Sequence, residues 1–251
     1  MDGPLESGKM TGFQAQGSAW DPCRSDIIDL LQSASFEHVE PIYYGSNHTF
    51  LVTLTAEQGG SSLAVYKPAR GEYPLYDFAN GSLYRREVAS WLLSDMLRWN
   101  LVPPTVVAKG DYGAGSLQVF IEAHAGGEIE IAELRRLSLL DVLLNNADRK
   151  AEHCLVGDNG KLWGIDHGLT FHAQPKLRTV IWHFAGTRIL ADDMSDLKRV
   201  RLLLNRPEGP ASQLKSLLAP REWAALSARL ERLISDGCFP NPRYKPVPYR
   251  W

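Results

Sequence analysis

The sequence is poor in cysteine, in long apolar runs and in blocks of like charge, and each shortage removes a class of protein. Its three cysteines, Cys23, Cys154 and Cys238, are scattered and odd in number. That pattern supplies neither a disulfide framework nor paired metal knuckles, and it suits a reducing compartment. No run approaches the ~18 apolar residues of a membrane span. The start "MDGPLESGKMTGF" has no apolar signal core. Lys and Arg number 27 against 29 Asp and Glu, a net charge of −2, with no basic block to bind nucleic acid. The expectation is a cytoplasmic protein with no integral membrane association and no nucleic-acid partner.

What is present suffices for a packed core, since 44% of the 251 residues are hydrophobic and 22% are charged. A chain of this length makes one large domain or two lobes that share a cleft. Residues 1–22 lack periodicity and read as a flexible leader. "SDIIDLLQSASF" predicts a helix capped by Ser25. "PIYYGSNHTFLVTL" and "SSLAVYKP" predict an antiparallel pair of strands separated by Gly59-Gly60. "SLYRREVASWLLSDMLRWN" predicts a helix whose apolar face is Tyr84, Val88, Trp91, Leu92, Met96 and Trp99. "VPPTVVAKGDYGAGSLQVFIEA" predicts two more strands around a Gly-rich turn.

Beyond about residue 125 the pattern becomes helical. "IEIAELRRLSLLDVLLNNA" is apolar on more than one side, as a buried helix is. A hairpin over 154–166 follows, with Gly157-Asp158-Asn159-Gly160 as its turn. "DDMSDLKRVRLLL" and "PREWAALSARLERLIS" predict further helices, and the tail "FPNPRYKPVPYRW" is expected to be extended. The fold class is α+β, with a β-rich N-lobe over 23–125 and a mainly helical C-lobe over 126–251.

Phosphoryl transfer from ATP needs a loop for the phosphates, a cation on them, a metal site and a carboxylate at the acceptor. Each has a candidate here. Lys67 follows an apolar strand, where an ammonium needs a neutralising partner, and Glu87 on the next helix can supply it. The backbone N–H groups of Ser46, Asn47 and His48, between two strand segments, can contact phosphate oxygens. Asp148 follows the end of an apolar helix, where a carboxylate gains nothing from the helix dipole. Asp166 ends a hairpin strand before His167-Gly168, and one carboxylate plus phosphates is a common Mg²⁺ arrangement. A rival reading gathers His153, Asp166, His167 and His172 as a hydrolytic metal site, although no H-E-x-x-H spacing occurs. Arg199 and Arg201 are read as solvated helix charges rather than as guides for an anionic substrate, and "TVIWHFAG" as core.

Taken in order, these segments resemble the catalytic core of the type II phosphatidylinositol 4-kinases, within the wider lipid-kinase and atypical protein-kinase superfamily. The family's G-S-S-G-S-Y-F-V is matched by Gly45-Ser46-Asn47-His48-Thr49-Phe50-Leu51-Val52. Its V-F-K-P resembles "VYKP" with Lys67, its Y-L-S-E resembles "YRRE" with Glu87, and N-I-V-P-R-T resembles "NLVPPT". Its L-D-Y-I-I-R-N-T-D-R-x-x-x-N is echoed by "LDVLLNNADRKAEH", and I-D-N-G-L-A-F by "IDHGLTF". The likeness covers roughly residues 41 to 172.

The resemblance implies a two-lobed protein-kinase-like fold and an ATP-dependent kinase acting on a hydroxyl-bearing acceptor. Asp148 would be the catalytic aspartate, Asp166 the metal ligand for Mg²⁺ or Mn²⁺, and Lys67 the residue on the ATP phosphates. The strand around Phe120, Ile121 and Glu122 would meet the adenine through its backbone. Two departures stand out. His153 replaces the family's metal-ligating Asn, which favours Mn²⁺ or weakens metal binding. The cysteine-rich membrane-anchoring insert is replaced by "ARGEYPLYDFANGS", so a protein, sugar or polyol acceptor is as well supported as a lipid. A nucleotide-binding pseudokinase is the main alternative, and nucleotidyl transfer a third.

Overall fold

A computed structural model of the chain describes residues 19–43, 47–123, 128–206 and 208–242. The fold is α+β. Five strands form one antiparallel sheet: β1 (Ser35–Ile42), β2 (Thr49–Ala56), β3 (Gly60–Pro68), β4 (Thr105–Gly110) and β5 (Gly113–Val119), in the order β1-β2-β3-β5-β4. β2 alternates as a half-buried strand does, and Phe50, Val52 and Leu54 join Ala64 and Tyr66 of β3 in a core shared with Leu117 and Val119. Helix α1 (Ile27–Ser33) packs against β4 and β5 through Ile27, Leu30 and Leu31.

Helix α2 (Leu83–Met96) connects β3 to β4. Of the face expected for it, Tyr84, Val88, Leu92, Met96 and Trp99 are buried and Trp91 is half-buried. Val88, Leu92 and Met96 join the helical core built on Leu137, Leu140 and Leu144 of α3 (Ile131–Leu144), Leu197 of α4 (Ala191–Leu204), Leu214 of α5 (Pro210–Leu217) and Leu230 of α6 (Pro220–Asp236). The helix that carries Glu87 is therefore anchored in the helical half of the molecule while its neighbour strands lie in the sheet. Between α3 and α4 stands the short hairpin of β6 (Cys154–Val156) and β7 (Leu162–Gly164).

Several local expectations need correction. The cap of α1 is Asp26 rather than Ser25, with no side-chain cap bond. Strand β1 begins at Ser35, inside the stretch read as helix; it is an edge strand rich in Glu and His, whose polar faces hide the period of two, and an edge tolerates Pro41. Helix α5 was not foreseen, because eight residues containing Pro, Ser and Gln carry little helical signal. Residues 1–18 of the expected leader and 243–251 of the tail lie outside the described residues. No helix among the described residues is long and apolar enough to cross a membrane.

Candidate active site

Three side chains distant in sequence meet where the sheet faces the helical half. Lys67 stands at the end of β3, Glu87 within α2 and Asp166 just beyond β7. Lys67 Nζ lies 2.5 Å from Glu87 Oε1 and 3.0 Å from Asp166 Oδ1. Glu87 is buried, so its charge needs compensation on both oxygens. Its Oε2 accepts the His167 N–H at 2.9 Å, which ties the ammonium to the turn that holds Asp166. Burial alone would lower the Lys67 ammonium, but Asp166 and Glu87 outweigh it and hold it above its ordinary value. Lys67 in turn holds the Asp166 carboxyl well below the usual carboxylate range. Asp166 has φ +59°, a left-handed conformation that side chains other than glycine seldom adopt outside functional turns.

Asp148 lies in the loop after α3. Asn145 ends the helix in the left-handed region at φ 54°, a C-terminal stop. Its amide donates to His172 O and Gln174 O at 2.9 and 2.7 Å, and its Oδ1 accepts the Lys176 N–H at 2.9 Å. Asn146 Oδ1 accepts the Asp148 N–H at 3.0 Å. The Asp148 carboxylate is 34% exposed and stands 3.2 Å from Lys150 Nζ.

Behind this loop is a buried network that sequence reasoning missed. Arg149 is fully buried, and its Nε and Nη2 donate to Asp141 of α3. Nη1 donates to His153 O at 3.1 Å and to Ile165 O at 2.9 Å. Nη2 also reaches His167 Nε2 at 2.6 Å. A guanidinium can only donate, so this ring nitrogen accepts and the proton resides on Nδ1. Burial, reinforced by Arg149, keeps His167 neutral. Asp141 further accepts Asn146 Nδ2–H at 2.9 Å and Thr179 Oγ1–H at 3.2 Å. One guanidinium thus fixes α3, the Asp148 loop and both ends of the hairpin. The available signal was a lone Asp in the apolar run "SLLDVLL", since a charge buried in a helix needs a counter-charge.

The residues present fit a divalent ion. His153 Nε2 and Asp166 Oδ2 face each other at 3.4 Å, near the roughly 3 Å between adjacent donors of a six-coordinate Mg²⁺. Burial lowers the His153 imidazolium, so the ring is neutral and keeps a lone pair to give. Among the described residues no third acidic, His or Cys side chain completes a cluster, so phosphate and water oxygens would fill the remaining positions. The rival hydrolytic site is not assembled: His167 is engaged by Arg149, and His172 Nε2 by Asp77 O at 3.0 Å.

The remaining candidates differ in detail from expectation. Ser46 lies outside the described residues. The His48 N–H donates to Gly71 O at 2.9 Å instead of standing open for a phosphate. This close approach depends on glycine, because a Cβ at Gly71 would lie 2.5 Å from that of His48. Asn47 Oδ1 accepts the Tyr73 N–H at 2.7 Å. β5 ends at Val119, so Phe120, Ile121 and Glu122 occupy the connector after the strand; Ile121 is buried and Glu122 Oε1 accepts the Ala19 N–H at 3.1 Å. Arg199 stops α2 by donating to Met96 O and Leu97 O, and Arg201 pairs with Glu231. Neither is left to steer a substrate.

Protein Rv2133c of Mycobacterium tuberculosis is 37% identical over 270 aligned residues, which span 90% of this chain and 95% of the relative. The chain belongs to the family of Protein Rv2133c. A shorter likeness of this chain runs to phosphatidylinositol 4-kinase gamma 4 of Oryza sativa subsp. japonica, 33% identical over 108 residues, 33% of this chain and 19% of that protein. No protein-family model matches the chain. Among solved structures, the Golgi casein kinase with Mn/ADP bound superposes with a TM-score of 0.54 at 15% identity, covering 87% of this chain and 80% of that one. Hydra Fam20 with sugar gives 0.51 at 16%, covering 84% and 86%. These two likenesses establish the kinase-like fold of the Rv2133c family member described here.

Proposed function

We propose that this protein is an ATP-dependent kinase that transfers the γ-phosphoryl group to a hydroxyl acceptor, on a site related to that of the type II phosphatidylinositol 4-kinases. The observation that carries the reading is Glu87, one carboxylate that holds Lys67 from the sheet and the Asp166 turn from the hairpin at once. Lys67 binds the α- and β-phosphates as a fixed charge, and Glu87 keeps it aimed. Asp166 and His153 hold Mg²⁺ or Mn²⁺, as Mn is bound with ADP in the similarly folded Golgi casein kinase. A divalent ion there would neutralise charge on the transferred group. The connector at 120–122 lies beside the adenine. Asp148 accepts the proton of the attacking hydroxyl, the oxygen takes the phosphoryl group, and ADP leaves with the former bridging electrons. Most of the rate enhancement comes from positioning and charge neutralisation. Three unpaired thiols, Cys23, Cys154 and Cys238, support a reducing cytoplasm as the compartment.

A second reading, a nucleotide-binding pseudokinase, is favoured by His153 alone. Calorimetric titration of ATP with Mg²⁺ and with Mn²⁺, on the native chain and on Asp166→Ala, tests the nucleotide site. Metal-dependent binding that the variant loses supports it, and no binding with either ion rejects it. Turnover that Asp148→Ala abolishes while binding persists separates the kinase from the pseudokinase.

A further inference from the structure

The turn that carries Asp166 is gripped by α2 near both of its ends. At the start, Glu87 Oε2 accepts the His167 N–H at 2.9 Å. At the end, Arg86 Nε donates to Thr170 O at 3.0 Å. Between them Thr170 Oγ1 donates to His167 O at 2.7 Å and stands 3.3 Å from Ser90 Oγ, which shares the Arg86 face of the helix. The grip answers a need of the backbone. Asp166 and Phe171, at either end of the turn, are both left-handed at φ +59°. Such residues persist only where their surroundings over-determine them.

Arg86 is buried, so its guanidinium needs a counter-charge. Glu87 does not supply it, because its two oxygens serve Lys67 and His167. The counter-charge is Glu222 of α6, whose Oε1 accepts from Arg86 Nη2. Glu222 Oε2 accepts the Ala219 N–H at 2.9 Å, which fixes this carboxylate at the start of α6. Arg86 Nη1 donates to Ser82 O at 2.9 Å. Each nitrogen of the fork is therefore occupied by a different segment. A buried ion pair adds little stability over a well-packed apolar one, so stability alone does not account for it.

We propose that Arg86 is a positioning residue for the metal site. With Glu222 behind it, Arg86 holds the Asp166 turn in the conformation that sets Oδ2 3.4 Å from His153 Nε2. This goes beyond the kinase reading while resting on its metal site. It also makes α6 a support of that site, although the site draws no ligand from the helix.

The test is titration of Mn²⁺ into the full chain with a fixed amount of a non-hydrolysable ATP analogue. It reads the Mn²⁺ concentration at half-saturation, beside the thermal midpoint of each variant. Arg86→Lys keeps a charge for Glu222 but lacks the fork that also serves Thr170 O. It is expected to keep most of the thermal midpoint and to raise the Mn²⁺ requirement about tenfold. Glu222→Gln should raise the requirement as well, and Arg86→Gln most of all; if Arg86→Gln does not fold, Arg86→Lys decides. Leu54→Val, in the separate core of the sheet, should lower the thermal midpoint and leave the Mn²⁺ requirement unchanged. An unchanged requirement in Arg86→Lys and Glu222→Gln would make the pair a purely structural one, overturning this inference and leaving the kinase reading intact. A requirement that rises equally in Leu54→Val would overturn it too, because any loosening of the fold would then suffice. If the native chain shows no Mn²⁺-dependent binding of the analogue, the kinase reading and this inference fall together.

Discussion

Arg149 and Asp141 form an ion pair with no exposed side-chain surface, Nη2 standing 3.0 Å from Oδ1. Such a pair is stable because its remaining hydrogen-bonding groups are also used, here by Asn146, Thr179, His153, Ile165 and His167. Removing one partner leaves the other charge buried and unpaired. Arg149→Ala is therefore expected to cost roughly 3–5 kcal/mol of stability. Urea unfolding measures it as a lower midpoint at unchanged slope. Arg149→Lys should fare little better, because a point charge cannot serve Asp141 and two carbonyls together.

Glu87 joins Lys67 to the Asp166 turn, and the two halves of that role can be separated. Glu87→Gln keeps an oxygen for the His167 N–H but cannot neutralise the Lys67 ammonium. The expected loss in nucleotide affinity is about tenfold or more, the worth of one charge-assisted hydrogen bond. Calorimetry with an ATP analogue measures it. An unchanged affinity would mean that Lys67 does not bind the phosphates.

Gly115 sets the distance between β3 and β5 at Lys67 itself. A Cβ there would lie 2.5 Å from Lys67 O and 2.8 Å from Pro68 Cα, both backbone atoms that cannot swing aside. Gly115→Ala must push the strands apart at the pairing of Pro68 with Gly115. A destabilisation of about 1–3 kcal/mol is expected, as for other overpacked sites. Amide hydrogen exchange should show faster opening at Lys67 and Pro68 than in β2.

The core elements were legible because their periods are clean. Strand β2 alternates, β3 carries the apolar run Leu63 to Tyr66, and α3 is apolar on more than one side. The pairing of Lys67 with Glu87 was legible because an ammonium after an apolar strand needs a neutralising carboxylate. Other buried partners were not. Asp141 and Arg149 are eight residues apart and look like ordinary charges until burial is known. The His48 bond to Gly71 depends on a close approach that no local pattern reports. Strand β1 was hidden because its half-buried Phe36, Val39 and Ile42 recur every third residue across an irregular pairing rather than every second.

Cys154 sits beside His153, yet it is not a reactive thiol. Burial pushes its pKa up to about 11, despite the neighbouring Arg149. Only the thiolate reacts, so at pH 8 about one molecule in a thousand is competent. Alkylation followed by mass spectrometry should label exposed Cys23 first and leave Cys154 nearly untouched at that pH. Its rate should keep rising up to about pH 11. The sign for stability is the reverse: the unfolded thiol ionises first, so the fold loses stability as the pH rises from about 9 to about 11.

If the proposed metal site is right, His153 should influence which ion it accepts. An imidazole nitrogen is a softer donor than an amide oxygen, and Mg²⁺ takes oxygen ligands in a strict octahedron, whereas Mn²⁺ accepts nitrogen readily. The 3.4 Å spacing of His153 Nε2 and Asp166 Oδ2 is compatible with both donors sharing one ion. The native chain should therefore bind an ATP analogue more tightly with Mn²⁺ than with Mg²⁺. His153→Asn restores an oxygen donor and should narrow that difference by about tenfold. The ring's second nitrogen, Nδ1, has no partner among the described residues, so the smaller amide leaves no broken hydrogen bond behind. Because Arg149 reaches the His153 carbonyl and not its ring, the loop should keep its shape in the variant. Titrating both proteins with both ions gives four affinities. Equal preference for the two ions in the native chain would show that His153 is a buried spectator and that Asp166 holds the metal without it.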